Sequence, residues 1–306
     1  MLGVWPWPPT CKYNPARARW VGRKVYPRPG CAGMHRMLPA REKRADCALL
    51  FARLLQAAVA LEGGPLKRHF FWKNAMLKLL IGNKNYSSWS MRPWVLLRQM
   101  GIAFEEVLVR FDSFQAGSQF KSTLLAISPV GKVPVLQDGD LTVWDTLAIA
   151  EYLAERHPEL ALWPRDRAAR ARARSVCADM HAGFSALRSH CPMNIEANLA
   201  QVGALIWRDQ ADVRADVARL VSLWQTLLNT YQGPMLFGDF CMADAYFAPV
   251  CTRLKTYALP VPPDVAAYVA RVLALPGVQA WVNDALAEHD FLAFEEPYRT
   301  SRGASR

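Results

Sequence analysis

The sequence lacks any apolar run of the roughly 18 residues that a membrane-spanning helix needs. Charged side chains interrupt its apolar stretches, as Arg53 does between Cys47 and Leu61. Apolar residue types nevertheless make up 52% of the 306 residues, which is enough for a sizeable core. The length allows one large or two ordinary domains. We therefore expect a soluble, globular chain with no membrane partner.

The sequence also lacks a C-x-x-C pair, and its seven cysteines are widely spaced. Cys177 and His181 lie one helical turn apart, but the two further ligands of a metal site are missing. The spacing also gives no sign of a disulfide framework. We expect reduced thiols, no metal and a cytoplasmic location.

Excess charge is absent from most of the chain. Residues 1–75 hold 14 Lys and Arg against 3 Asp and Glu, whereas the other 231 residues hold 23 of each. The net charge of +11 at pH 7 is therefore carried by the first 75 residues alone. A neutral body offers no electrostatic footprint for a phosphate backbone, so we expect no nucleic-acid partner.

Residues 1–75 differ in composition from the rest and show no period, apart from an apolar stretch at 47–61. Three interpretations are open: a targeting segment, a basic disordered arm, or a segment upstream of the native start. We favour the last, because Met76 directly precedes a clean strand pattern. We assign no function to this extension.

Residues 76–157 alternate between strand and helix patterns. Strands are predicted at 77–81, at 104–111 and on both sides of the Asp138-Gly139 turn, with helices at 90–100, within 112–128 and at 146–157. A helical crossover makes the first two strands parallel, and the short turn makes the last two a hairpin. The order β-α-β-α-β-β-α predicts an α/β thioredoxin-like domain.

Residues 158–165 form the predicted linker, and a helical pattern follows. Helices are predicted near 166–190, 210–232, 242–257, 264–275 and 277–288. Gly and Pro mark the breaks between them. The sequence thus predicts an all-α helical bundle at 166–290, with a tail at 291–306.

Three motifs carry a family resemblance: YSSWSMRPW (86–94), SPVGKVPVL (128–136) and WDTLAIAEYL (144–153). Together they resemble the N-terminal domain of a cytosolic glutathione transferase. The doubled serine is similar to the zeta class, which includes maleylacetoacetate isomerases. The resemblance covers 76–290 and implies glutathione as co-substrate and a homodimer.

The first motif suits thiol chemistry. One serine is enough to cap a helix, and we assign that role to Ser90. Ser87 and Ser88 then lie at a helix start, where unpaired N–H groups and the positive end of the dipole favour a thiolate. These two match the family's catalytic serine motif, although the sequence does not choose between them. Arg92 adds positive potential in the first turn.

The other two motifs supply the rest of the expected glutathione site. In the family, the proline of Lys132-Val133-Pro134 is cis, and the backbone before it pairs with the cysteinyl part of glutathione. Thr146, at a helix start, would hold the γ-glutamyl carboxylate, and Asp145 would meet the α-ammonium. Gln119 corresponds by spacing to a glutathione-contacting glutamine of the zeta class.

Two positions leave alternatives open. Tyr86 competes with the serines, because some transferase classes use a tyrosine. Trp89 stands where the zeta class often has a cysteine, and no cysteine lies between 76 and Cys177. Mixed-disulfide chemistry by a first-domain cysteine is therefore excluded, and the bulky Trp89 weakens an isomerase assignment.

The co-substrate pocket is less well defined. His181, Phe184 and Arg188 share one face of the predicted helix 166–190, which in the family forms a wall of the electrophile pocket. Asn194 lies where zeta enzymes make further ligand contacts. The same stripe fits a half-buried or dimer-interface face, which we favour for His181.

The helix at 242–257 begins with a family capping motif that is altered here. Asp244 is present, but Cys241 occupies the cap position, where Ser or Thr is usual. A thiol is a weak hydrogen-bond partner, so we expect this change to affect folding rather than catalysis.

These observations lead to the hypothesis of a glutathione transferase, in which a serine at a helix start stabilises the thiolate for attack on a small electrophile. One alternative is a glutathione-dependent isomerase of the maleylacetoacetate type, which Arg188 would favour. Another is a non-catalytic glutathione- or ligand-binding module. The electrophile itself is not specified by the sequence.

Overall fold

The computed structural model describes residues 76–302 and 304–305, which belong to one compact unit. The interpretation of residues 1–75 as an extension lies outside the described residues. No single helix among those described is long and apolar enough to cross a membrane. Two consecutive helices, Pro263–Leu273 and Pro276–Glu288, are together long and apolar enough to cross a membrane by length and composition alone, but the chain bends by 71° between them.

A mixed four-stranded sheet forms the core of the first half, in the order β2-β1-β3-β4. Its strands are β1 (Leu77–Ile81), β2 (Phe104–Leu108), β3 (Val135–Asp138) and β4 (Leu141–Trp144). Strands β1 and β2 are parallel, whereas β3 is antiparallel to both of its neighbours. The predicted crossover and hairpin, and with them the thioredoxin-like fold, are confirmed.

Three helices accompany the sheet: α1 (Ser88–Gln99), α2 (Gln119–Leu125) and α3 (Thr146–Arg156). Helix α1 begins two residues earlier than predicted, so Ser87 takes the N-cap position and Ser90 lies inside the helix. The Ser90 hydroxyl oxygen accepts the Gly82 N–H at 3.2 Å and the Ser87 hydroxyl at 2.7 Å. Our assignment of Ser90 as the helix cap is therefore wrong.

The second half is helical, as predicted. Its helices are α4 (Arg167–Ala182), α5 (Ser185–His190), α6 (Ala200–Asp209), α7 (Ala211–Tyr231), α8 (Met242–Thr256), α9 (Pro263–Leu273) and α10 (Pro276–Glu288). Helix α1 packs against α8 and α10, with Trp94 and Trp281 fully buried and their rings 5.3 Å apart. Burial of such large apolar side chains joins the two halves into one core.

The predicted helix 166–190 is interrupted at Gly183 and Phe184. Gly183 leaves helical geometry, and Phe184 has a positive φ of 54°. A Cβ on Gly183 would lie 2.9 Å from the Asp179 carbonyl oxygen, so the break requires a residue without one. The expected stripe is lost, because Phe184 turns into the core while His181 and Arg188 end up on different helices.

Helix α6 was not predicted, because Gly203 weakens its helical pattern. The structure explains the glycine by a close approach of the backbone. A Cβ on Gly203 would lie 1.7 Å from the Tyr257 carbonyl oxygen. The residue is thus selected by tertiary packing against the end of α8, which propensity alone does not show.

The chain after α10 is packed against the body, although the sequence suggested only a tail. A 3₁₀ turn at Ala293–Glu295 is followed by two short strands, β5 (Arg299–Ser301) and β6 (Ala304–Ser305). Glu296 and Arg299 are 2% and 5% exposed. They form a buried ion pair with each other, so this segment is packed into the folded structure.

Replacing Cys241 by serine is expected to raise the free energy of unfolding by about 0.5–1 kcal/mol. Cys241 is the N-cap of α8, and its backbone N–H donates to the Asp244 carboxylate at 3.0 Å. A hydroxyl oxygen accepts hydrogen bonds from helix N–H groups better than sulfur does. Urea unfolding would measure the change. Cys251→Ser, inside the same helix and fully buried, is the control and should destabilise; equal losses in both variants would contradict the prediction.

Candidate active site

The loop that leads into α1 is held by carboxylates from the end of α10. The Asn83 side-chain amide donates to Asp290 at 2.6 Å, and the Lys84 N–H donates to Glu288 at 2.8 Å. The side-chain oxygen of Asn83, Oδ1, also accepts a hydrogen bond from the Phe111 N–H at 2.8 Å. These bonds fix the backbone immediately before the two serines.

Ser87 and Ser88 differ in their surroundings. The Ser87 side chain is buried at 6% exposure, and its hydroxyl donates to Ser90. The Ser88 side chain is half-buried, and its hydroxyl has no hydrogen-bond partner among the described residues. Both line the same cavity at the start of α1, where the first helical N–H groups lack intrahelical acceptors.

Tyr86, the alternative to the serines, is engaged elsewhere. Its hydroxyl donates to the Glu296 carboxylate at 2.7 Å and lies 3.3 Å from the Asp290 carbonyl oxygen. Burial and the bond to Glu296 raise the pKa of Tyr86 to about 12. The Tyr86 hydroxyl therefore donates its hydrogen bond to the segment after α10, and its proton is hard to remove.

Arg92 lies beneath the cavity, and it does not line the wall. Its Nε donates to the Tyr246 carbonyl at 3.0 Å and its Nη1 to the Ser88 carbonyl at 2.9 Å. The guanidinium stacks on the Trp89 ring at 4.1 Å, and burial lowers the pKa of Arg92 to about 9. Arg92 thus connects the first turn of α1 to α8, and its predicted contribution of positive potential to the site stays a prediction.

The cavity has two lobes. The serine lobe, with a volume of about 510 Å³, contains both serines, and its walls are part apolar and part polar or charged. Its apolar lining comes from Trp89, Phe111, Phe114, Phe120, Val133 and Met193. The aspartate lobe, of about 530 Å³, is lined by Pro134, Trp144, Asp145, Thr146 and His181, among others. Trp89, Lys132, Val133 and Arg188 line both lobes, so the two adjoin.

The backbone at Val133-Pro134 forms the boundary between the lobes. The peptide bond between these residues is cis, as predicted. The N–H and C=O groups of Val133 have no hydrogen-bond partner among the described residues. They are thus available to pair with a peptide that occupies the cavity, and the exposed Lys132 lies beside them.

Asp145 and Thr146 lie at the start of α3, in the aspartate lobe. Asp145 has a positive φ of 74°, a strained conformation that is common at ligand sites, and its carboxylate accepts the Leu147 N–H at 2.9 Å. The Thr146 hydroxyl lies 2.7 Å from the Tyr246 hydroxyl, which in turn lies 2.9 Å from His181 Nδ1. His181 Nε2 is 3.4 Å from Asp145, so these groups form one polar cluster.

Three predicted contact residues lie outside both lobes. Gln119 is exposed at the start of α2, where its N–H donates to Asp112 at 2.8 Å. Phe184 is 1% exposed and packs under the Arg219 guanidinium, because the chain turns inward after Gly183. Asn194 is 3% exposed, and its amide donates to Glu296 at 2.9 Å. Burial rules out the predicted contact for Phe184 and Asn194, whereas the glutathione contact of the exposed Gln119 stays a prediction.

The structure adds residues that the sequence did not suggest. Tyr246, from α8, supports the aspartate lobe, and Glu295 lines the serine lobe from beyond α10. Neither carries a local signal, because Tyr246 lies in an apolar helix and Glu295 in a stretch without a period. The described residues contain no group of three or more His, Cys, Asp or Glu placed to hold a metal ion.

A thioredoxin-like half followed by a helical bundle is the architecture of the transferases that the sequence resembles. Residues 86–156 match the family described as glutathione S-transferase, N-terminal domain. Glutathione S-transferase 1 of Dianthus caryophyllus is 30% identical over 174 residues, which cover 56% of this chain and 75% of that protein. The chain belongs to the glutathione S-transferase family.

Two further comparisons bear on the class and on the ligand. Maleylacetoacetate isomerase of Rattus norvegicus is 26% identical over 178 residues, which cover 58% of this chain and 78% of that protein. A glutathione transferase homologue from Burkholderia gl BGR1, crystallised with bound glutathione, is 29% identical and covers 68% of this chain and 97% of its own, with a TM-score of 0.51. A maleylacetoacetate isomerase is thus among the proteins to which the chain is similar.

Proposed function

We propose that this protein is a glutathione transferase, which binds glutathione across the two lobes and attacks a small electrophile in the serine lobe. The observation that carries the proposal is the pair of serine hydroxyls at the start of α1, beside the cis Val133-Pro134 bond. The family and the relative with bound glutathione support it.

In the proposed complex, the aspartate lobe holds the γ-glutamyl end. Asp145 would meet the α-ammonium, and the N–H groups at the start of α3 would hold the α-carboxylate. The Thr146 hydroxyl is already bonded to Tyr246, so we assign the anion contact to the Thr146 backbone. The Val133 backbone would pair with the cysteinyl residue, and Lys132 would attract the glycyl carboxylate.

This placement directs the thiol towards the start of α1. An unperturbed thiol has a pKa of about 8.5, and hydrogen bonding to the anionic form together with the helix dipole lowers it. We propose that a hydroxyl of Ser87 or Ser88 donates to the sulfur, while the thiol proton leaves to solvent. Ser88 has a free hydroxyl in the ligand-free state, whereas Ser87 must first release Ser90.

The first test is an ultraviolet difference spectrum of glutathione bound to the full chain, titrated with pH. We expect a thiolate band whose midpoint lies at least one unit below the pKa of free glutathione, because the site favours the anion. Binding without such a band would support the non-catalytic ligand-binding module. An absence of binding would contradict the proposal as a whole.

The isomerase alternative is supported by the similarity to maleylacetoacetate isomerases and by Arg188, which lines both lobes. An isomerase would add the same thiolate reversibly to a cis double bond, allow rotation and then release the trans product. Arg188 donates to the His181 and Gly183 carbonyls through Nη1, which leaves its other nitrogens for a substrate carboxylate. Glutathione-dependent turnover of a maleyl compound to its fumaryl isomer would establish this activity.

We also propose that the protein works as a cytoplasmic homodimer. Cys177, Cys191, Cys241 and Cys251 are free and buried, which suits a reducing compartment. The dimer is proposed on the family resemblance alone, and sedimentation of the full chain would test it.

A further inference from the structure

The two halves of the fold meet at the aspartate lobe through a chain of polar contacts. The Thr146 hydroxyl, at the start of α3, lies 2.7 Å from the Tyr246 hydroxyl, which comes from α8. The Tyr246 hydroxyl in turn lies 2.9 Å from Nδ1 of His181, in the last turn of α4. Nε2 of His181 then faces the Asp145 carboxylate at 3.4 Å. The chain of contacts therefore begins and ends on neighbouring residues of the first half and passes through two side chains of the second.

The chemistry of the two ends assigns a direction to each contact. A carboxylate can only accept, so we place the proton of the His181 ring on Nε2, which faces Asp145. Nδ1 is then the acceptor of the neutral ring, and the Tyr246 hydroxyl donates to it. Burial raises the pKa of Tyr246 to about 12, so that hydroxyl keeps its proton. The Thr146 hydroxyl donates to the Tyr246 oxygen, and the N–H end of the imidazole is the end that lies towards Asp145.

Both side chains from the second half are held in place by further contacts. Tyr246 is fully buried, its carbonyl oxygen accepts Arg92 Nε at 3.0 Å, and its ring centroid lies 4.7 Å from the Arg92 guanidinium. The His181 ring packs against the Trp89 ring with centroids 4.9 Å apart, and the His181 carbonyl oxygen accepts Arg188 Nη1 at 3.1 Å. The imidazole is therefore a positioned group at the lobe.

The Asp145 carboxylate has one contact on each oxygen. Its Oδ1 accepts the Leu147 N–H at 2.9 Å, and its Oδ2 is the oxygen that faces His181. The side chain is still 47% exposed, so both oxygens have lone pairs open to a ligand. Among the described residues that line the aspartate lobe, Asp145 is the only acidic side chain, beside the cations Lys132 and Arg188. An ammonium group in this lobe thus has one counterion among those residues.

We infer that His181 and Tyr246 are positioning residues, which aim the Asp145 carboxylate at the α-ammonium group of glutathione. The inference rests on the proposed function, in which Asp145 meets that ammonium group. It assigns His181 to the glutathione site, whereas the sequence placed this residue on a wall of the electrophile pocket or on a half-buried face. The helical half of the fold thus takes part in selecting the amino end of the peptide.

The test uses two ligands that differ only in the α-amino group, glutathione and N-glutaryl-cysteinylglycine. The second ligand keeps the thiol and both carboxylates of glutathione but lacks the ammonium group. Titration calorimetry with the full chain, near neutral pH, gives the Kd of each ligand. We expect the wild-type protein to bind glutathione at least about 10-fold more tightly, because a hydrogen bond between charged groups is lost with the amine.

The variants of the two positioning residues should change this preference. His181→Ala should lower the affinity for glutathione by about 10-fold and leave the affinity for N-glutaryl-cysteinylglycine within about twofold. Tyr246→Phe, which keeps the buried ring and removes only the hydroxyl, should show the same pattern with a smaller loss. His181→Gln should recover most of the loss, since its amide N–H can take the place of Nε2–H. His190→Ala, a half-buried histidine in the last turn of α5 that lines neither lobe, is the matched control.

A double variant tests whether His181 acts through Asp145. Asp145→Asn by itself should abolish the preference for glutathione over the glutaryl ligand. Adding His181→Ala to Asp145→Asn should then lower the affinity for glutathione by less than about a further twofold, because the carboxylate that the imidazole positions is already gone. Losses that multiply in the double variant would show that His181 acts independently of Asp145 and would overturn the inference.

Equal losses of affinity for both ligands in His181→Ala, or no loss for either, would also overturn the inference. Equal binding of the two ligands by the wild-type protein would do the same, because the lobe would then not recognise the ammonium group. The proposed function would stand in each of these cases, provided that bound glutathione shows its thiolate band. If the chain bound no glutathione, the proposed function would fail and this inference with it.

Discussion

Replacing Ser87 and Ser88 together by alanine is expected to abolish the thiolate band of bound glutathione at pH 7 and to lower kcat by about 10²-fold. The reason is that a single preorganised donor to a developing or bound anion contributes a factor of about 10²–10³ in comparable sites. The backbone N–H groups at the start of α1 would remain, so binding of glutathione should change much less than kcat.

The two single variants show which of the two serine hydroxyls contacts the sulfur. Ser88→Ala should carry most of the loss if the free, half-buried hydroxyl holds the sulfur. Ser87→Ala should carry it if the hydroxyl that now donates to Ser90 turns towards the ligand. The measurement is the apparent pKa of the bound thiol in each variant, together with kcat for 1-chloro-2,4-dinitrobenzene.

Ser118→Ala provides a matched control for these variants. Ser118 is the N-cap of α2, its side chain accepts the Lys121 N–H, and it lies in neither lobe. Its replacement should cost about 1 kcal/mol of stability through the lost cap and leave the thiolate band in place. A normal thiolate band in the Ser87, Ser88 double variant would show that the helix start alone holds the anion.

Replacing Glu296 by alanine is expected to lower the free energy of unfolding by about 3 kcal/mol, because the buried Arg299 guanidinium loses its nearest counterion and keeps only Glu196, at 3.4 Å. Glu296 is 2% exposed and accepts hydrogen bonds from Tyr86, Asn194 and Arg299. Removal of its carboxylate therefore leaves the Asn194 amide without an acceptor and leaves Tyr86 and Arg299 with only their longer bonds to the Asp290 carbonyl and to Glu196. Urea unfolding, followed by tryptophan fluorescence, would give the value.

Two further variants define the origin of this loss. Glu296→Gln keeps the shape of the side chain, with one acceptor oxygen and one NH₂ donor in place of the two carboxylate oxygens. It should therefore lower the free energy of unfolding less than the alanine variant does. Glu155→Ala removes an exposed carboxylate and should change stability by at most about 0.5 kcal/mol. If Glu296→Ala were no more destabilising than Glu155→Ala, the buried cluster would not anchor the segment after α10.

The local patterns of the sequence predicted the elements that depend on local forces. Alternating apolar residues, the Asp138-Gly139 turn and the helical periods gave the thioredoxin-like half and the helical bundle, which the structure and the family both confirm. The serine motif, Lys132-Val133-Pro134 and Asp145-Thr146 also lie at one cavity. Short-range propensity and family motifs were enough for these, because each signal is contained within a few residues.

The predictions that failed depend on contacts between distant parts of the chain. Gly183 ends a helix, and Gly203 lies within one, so the same residue type has opposite local consequences. Only the approach of the Tyr257 carbonyl explains the second glycine. The pocket roles given to Phe184 and Asn194 failed for a similar reason, since a change in chain direction after Gly183 decides which side chains face the cavity.

The sequence by itself determined the fold class, the position of the serines at a helix start and the neutral charge of the body. Tertiary structure decided which groups share the cavity: it placed Arg92 beneath the serines, tied Tyr86 to Glu296 and brought Glu295 to the serine lobe. The physical reason is the range of the interactions. Helix starts and turns form from neighbouring residues, whereas a buried carboxylate is placed by partners roughly a hundred to two hundred positions away, such as Asn194 and Tyr86 for Glu296.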